Sequence, residues 1–237
     1  LTLTGDNTYY ASTTVSEGVL NIQHANALGS NMSGTTVNGG AVLEIQGGIT
    51  VGEYLILNGT GISNGGVMRN VSGDNTWTNS ITAASDARIN SDSGSLTVSY
   101  TSSIYAYYGL SFGGAGNIAV SSSISTSNGG LTKDGSGTLT LSGSNSMQQT
   151  SVTEGVLAVQ SSYALGYGTT VVSSGAALEL SETMLNIASS LTLNGSGISN
   201  GGALRNVFGE NTCSGMITLG SGTRINSDSG TLTLNSY

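Results

Sequence analysis

Thirteen acidic side chains, five basic ones, a single histidine and a single cysteine are this chain's supply of reactive groups. A β-rich surface that cleaves polysaccharide needs paired carboxylates, often with a base or a metal beside them. Eight of the thirteen carboxylates come in sequence-matched pairs, because the chain is internally duplicated. Glu17 corresponds to Glu154, Glu44 to Glu179, Asp74 to Glu210 and Asp92 to Asp228, while Arg69 matches Arg205 and Arg88 matches Arg224. A catalytic constellation is normally assembled once, so groups present in both copies read as turn caps, Asx turns and surface ion pairs. His24 has Ser161 as its counterpart and no second histidine to join it, which leaves no His-based metal site or triad. Its expected place is a solvated strand end.

Trp77 corresponds to Cys213 within T-W-T and T-C-S, so both are read as packing residues, and one cysteine forms no internal disulfide. Lys133 is expected at an exposed corner. The glycine run at 113–116 lacks the GK[ST] ending of a phosphate loop, and the G-G-x-G-x-D calcium repeat is missing. No catalytic residue, cofactor or metal site is expected, and the chain reads as a non-enzyme. The one candidate contact surface is aromatic: Tyr100, Tyr105, Tyr107 and Tyr108, near Phe112. Such rings can stack on sugars. The competing reading is strand alternation, with Ile104, Ala106, Tyr108, Leu110 and Phe112 inward and Tyr105 and Tyr107 outward. Ranks of outward Thr in LTLT at 1–4, LTLS at 139–142 and LTLN at 232–235 suggest ice binding, but Ser and Asn interrupt them.

The elements that must position these groups are strands. Of 237 residues 37 are Gly and none is Pro, only 8% are charged, and the net charge is −8. An average chain is about 25% charged and about 5% Pro. Proline is excluded from paired sheet interiors, so its absence is informative. The acidic balance argues against nucleic acid and anionic lipid as partners, and no apolar run is long enough to insert in a membrane. Apolar and polar residues alternate in LTLT at Leu1, VLNIQ at Val19, VLEI at Val42, SLTV at Ser95 and TLTL at Thr138. That is the signature of strands with one buried face. Gly, Asn, Asp and Ser punctuate them, and no helical stripe appears.

The duplication is plain. LNGTGISNGGVMRNV at 57–71 returns as LNGSGISNGGALRNV at 193–207, and RINSDSGSLTV from Arg88 returns as RINSDSGTLTL from Arg224. VSEGVLNIQ from Val15 and AVLEI from Ala41 also recur, as VTEGVLAVQ from Val152 and AALEL from Ala176. The units divide as 1–100, connecting coils 101–138, and 139–237, within one continuous solenoid. A right-handed parallel β-helix, an all-β fold, accounts for every feature, since each strand then has a neighbour above and below. At ~20 residues per coil it makes about a dozen coils stacked ~4.8 Å apart. The chain starts and stops inside strands, as a piece of a longer array would.

Residues 129–142, GGLTKDGSGTLTLS, with GSN at 143–145, resemble the autotransporter-associated β-strand repeat of large Gram-negative surface proteins. That repeat pairs G-x-L-x-K-x-G-x-G-x-L-x-L-x-G-x-N with T-x-V-x-x-G-x-L, which is matched by TSVTEGVL at 150–157 and TTVSEGVL at 13–20. LTLTGDNTYY at 1–10 is similar to the first part without its front, and SNSMQQ departs from the pattern's Asn-x-Tyr-x-Gly turn. The resemblance implies a passenger stalk or adhesin spacer, secreted or on the surface of a Gram-negative-type cell. Its partners would be further coils of the same chain, neighbouring copies stacked end to end, and surface glycans. A protomer of a self-assembling filament or sheath is the alternative, and a glycan-binding or polysaccharide-degrading β-helix a further one.

Overall fold

Each alternating run forms a strand, and each strand pairs in parallel with the strand about one coil later in the sequence. The computed structural model describes residues 1–99 and 103–235. Within them the chain winds into a parallel β-solenoid of about 11 turns. A full coil is seen in Leu110–Gly113, Asn117–Val120 and Ser123–Thr126, one strand on each of three faces. The first face runs unbroken from Thr2–Leu3 to Ile217–Leu219 and the second from Thr50–Val51 to Ile225–Ser227. The third begins at Thr13–Val15 and ends at Thr231–Leu234, with irregular segments between. Among the described residues helix is confined to two short 3-10 turns, Ile62–Asn64 and Ile198–Asn200.

The expected dozen coils come out slightly fewer because coils carrying those turns are longer than 20 residues. Leu43 stacks on Met68 and Leu191 on Ile217, so 25 and 26 residues separate residues one coil apart. Elsewhere Leu131 meets Thr150 after only 19. The two turns are copies of one another. Gly61 and Gly197 enter them at φ 76° and 74°, and Ser63, Asn64, Ser199 and Asn200 also hold positive φ.

The core is a set of side-chain columns along the axis. On the second face Val51, Trp77, Val98, Val120, Leu141, Val159 and Leu180 follow one another in register. All are buried. Each such side chain contributes roughly 1.5–3 kcal/mol through burial, and the contacts run mainly between adjacent coils.

The register also shows something about the duplication. Leu55–Gly59 lies on the third face, but its repeat counterpart Ser190–Leu193 lies on the first. Met68–Ser72 is on the first face and Leu204–Asn206 on the second; Asp74–Trp77 is on the second and Glu210–Cys213 on the third. Every matched strand advances by six coils and one further face. The two copies are therefore alike in strand order and rotated relative to one another about the axis.

Candidate functional site

The duplicated charges act as clamps between coils. Arg69 points outward from the first face, where Nη1 donates to Glu44 Oε1 in the coil before at 3.1 Å. Its Nε and Nη2 donate to Asp92 Oδ2 at the end of the coil after, at 2.7 and 2.5 Å. On the second face Arg205 repeats the arrangement with Glu179 at 2.8 Å and Asp228 at 2.6 and 2.5 Å. The hydrogen bond to the aspartate, in each case, raises the guanidinium pKa further. Arg88 reaches across two coils to a bidentate pair with Asp134, at 2.5 and 2.6 Å. Gly113 lies beneath that bridge, where a Cβ would strike both partners. Arg224, its counterpart, contacts Asn226 at 3.2 Å and forms no ion pair among the described residues.

Buried asparagines tie the corners behind these clamps. Asn75 Nδ2 donates to Asn70 Oδ1 at 2.6 Å, and Asn75 Oδ1 accepts the Ile49 N–H at 2.7 Å. Asn211, Asn206 and Leu185 repeat this at 2.6 and 2.8 Å. Asn70 and Asn206 each donate to a serine hydroxyl in the next coil at 3.0 Å, Ser91 and Ser227. Fully partnered buried amides fix a corner's geometry.

The remaining expected residues fall in separate places. Lys133 is not an exposed corner: it is only 2% exposed. Its stem stands in the core column between Phe112 and Val152. Its Nζ donates to the carbonyls of Asp134 and Gly135 at 2.7 Å and of Glu154 at 3.1 Å. Burial pushes this ammonium down to about 8, with Asp134 and Glu154 pulling the other way. Tyr105, Tyr107 and Tyr108 are each about half exposed, at 52%, 55% and 51%. Tyr108 is therefore not inward. A bend after Ala106 breaks the alternation, which resumes with Leu110 and Phe112 buried. Tyr100 lies outside the described residues. His24 is half-buried at a turn, with Nδ1 accepting the Asn26 N–H at 3.2 Å. Trp77 and Cys213 are both in the core, and burial lifts the Cys213 thiol to about 11.

One cleft breaks the repeat symmetry. It opens across the first three coils, encloses about 560 Å³, and is lined by Asp6, Tyr10, Asn26, Asn31 and Glu53 among others. Asn26 Nδ2 donates to Asp6 Oδ1 at 2.8 Å, holding that carboxylate at the rim, and the Tyr10 ring is largely exposed. Glu53 is only 3% exposed, and its Oε1 accepts from the Thr35 hydroxyl at 3.3 Å. Burial raises its pKa, against the Thr35 and Gly34 hydrogen bonds that lower it. Sequence reasoning missed Glu53. It sits in a turn outside any alternating run, although its lack of an acidic counterpart was a readable signal. Among the described residues, no group of three or more His, Cys, Asp or Glu side chains is placed to hold a metal.

Architecture and ladders together define a parallel β-solenoid repeat protein, stapled between coils by duplicated polar clamps. A family model described as the passenger-associated-transport-repeat matches two of its segments, residues 1–22 and 131–159. Both segments run through strands of the solenoid, and the second includes Lys133 with its carbonyl cage. A β-solenoid carrying that repeat twice fits an autotransporter-passenger-like repeat protein. No curated protein and no solved structure matches the chain.

Proposed function

We propose that this chain is a structural, non-catalytic stretch of a secreted or cell-surface passenger, acting as a stiff stalk or adhesive spacer. The observation that carries the reading is that both passenger-repeat segments contribute strands to one ladder, which runs unbroken from Thr2–Leu3 to Ile217–Leu219 on the first face. At ~4.8 Å per coil the rod spans roughly 50 Å. The coil-to-coil Arg clamps and asparagine corners suit a part that must keep its length under load. Its partners on this reading are further coils of its own chain. Protease shaving and antibody labelling of intact source cells test the placement. Labelling of intact cells that shaving removes is expected; signal only after the cells are permeabilised would refute it. Turnover in a polysaccharide panel would refute the non-catalytic part.

A further inference from the structure

Glu53 is a buried carboxylate that the fold does not require. Its counterpart in the second copy is Ser189, each four residues ahead of the leucine of an LNG turn. Ser189 is equally buried and closes its corner by donating to the Gly166 carbonyl at 2.8 Å. Thr35 faces Leu55 across the ladder as Thr170 faces Leu191. Thr35 donates to Glu53, whereas the Thr170 hydroxyl has no hydrogen-bond partner and the coil still forms. Burying a carboxylate is costly, and perturbed carboxyls in clefts are the usual mark of a site.

Other polar groups of the cleft are also particular to the first copy, although Asn7 keeps its counterpart in Asn145. Asp6 is replaced by Ser144 and Tyr10 by Gln148. Five residues separate Gly29 from Thr35, against three between Gly166 and Thr170, so Asn31 belongs to a longer corner. That corner is pinned by Ser33, whose hydroxyl donates to the Tyr10 carbonyl, and by the Ser30 N–H on the Tyr9 carbonyl at 2.8 Å. The result is a preformed concavity in the size range of small-ligand sites, ~300–1,000 Å³.

We propose that this cleft binds an oligosaccharide bearing free amines, a glucosamine-type sugar. Two carboxylates line it and no Lys or Arg does, so cationic ligands are favoured and acidic sugars repelled. Asn26 and Asn31 supply amides for hydroxyl groups. The exposed Tyr10 ring offers an apolar face for the C–H face of a sugar ring. Glu53 is the deep acceptor for an ammonium or hydroxyl.

The test is titration calorimetry of the whole chain with a glucosamine trimer, at low salt and a pH that keeps its amines protonated. Charge-assisted hydrogen bonds set the expected loss: Glu53→Ser and Glu53→Gln each weaken binding about tenfold or more. Glu53→Ser installs the residue that the second copy already folds with, so it separates lost binding from lost fold. Tyr10→Ala should weaken binding similarly, while Tyr107→Ala leaves it unchanged. The fully N-acetylated trimer should bind more weakly and a galacturonate trimer not at all. No binding by the unaltered chain, or unchanged affinity in both Glu53 variants, overturns the assignment. So does a loss seen only in Tyr107→Ala, or a lysine tripeptide that binds as tightly as the sugar.

Discussion

Lys133 shows how a single residue's environment follows from register. Alternation puts Leu131 inward, Thr132 outward and Lys133 inward again, so the stem must enter the core and the ammonium must find acceptors there. Three carbonyls meet it. Lys133→Met would orphan them, and a loss of about 1–3 kcal/mol is expected in chemical denaturation near neutral pH. The pH dependence has a definite sign. The ammonium titrates near 8 in the folded chain and at its ordinary 10.5 when unfolded. Between those values the unfolded state binds more protons, so this group's contribution to stability grows as pH rises. The melting temperature of the unaltered chain should therefore rise relative to Lys133→Met from pH 8 to about 10.5, and a constant difference would refute the argument. Cys213, lifted to about 11 by burial, should ignore a disulfide-exchange reagent at pH 8 until the chain is denatured. The matched Arg69 and Arg205 pairs could be read from sequence because duplication marks them as framework. The depth of Lys133 was equally readable, from its phase with Leu131. The depth of Glu53 was not, since it stands between two strands, where no alternation sets its phase.

At the scale of elements, the turns are more exacting than the strands. Gly61 and Gly175 both hold positive φ, 76° and 86°, so an added side chain strains either one. A Cβ on Gly61 would also collide with the Gly66 carbonyl, whereas one on Gly175 meets open space. Gly175→Ala should cost about 1–2 kcal/mol, and Gly61→Ala measurably more, compared by urea midpoints at equal slope. Equal costs would mean that the turn yields. Within strands the interior column sets the penalty: Leu139→Ala, between Ile118 and Leu157, should cost about 2–5 kcal/mol. Strand positions were legible because period two admits only one buried face. The corner asparagines carried a signal too: RNVSGDN and RNVFGEN place Asn70 with Asn75, and Asn206 with Asn211, five residues apart in both copies. Some of the carbonyls these amides meet are three residues away, but others lie in coils twenty or more residues off, and those are set by stacking.

For the whole molecule, stability is a sum of neighbouring interfaces and not the product of one centre. Hydrogen exchange should therefore be slowest in the middle coils, around Asn117–Val120 and Thr138–Leu141, and faster toward both ends. Uniform protection throughout would indicate a single cooperative block. The absence of proline finds its reason at this scale, because interior strands donate and accept on both sides along the ladder.

The offset of the two copies, six coils and one face, has a geometric outcome for any array lengthened by the same unit. Each addition would carry its surface features one side further round the shaft, and the fourth unit would again point the way the first does. Decorations borne once per unit would then trace a single staircase of three steps per turn instead of a single stripe. A surface feature in such an array would be offered on all three sides of the shaft, whichever way the shaft happened to face.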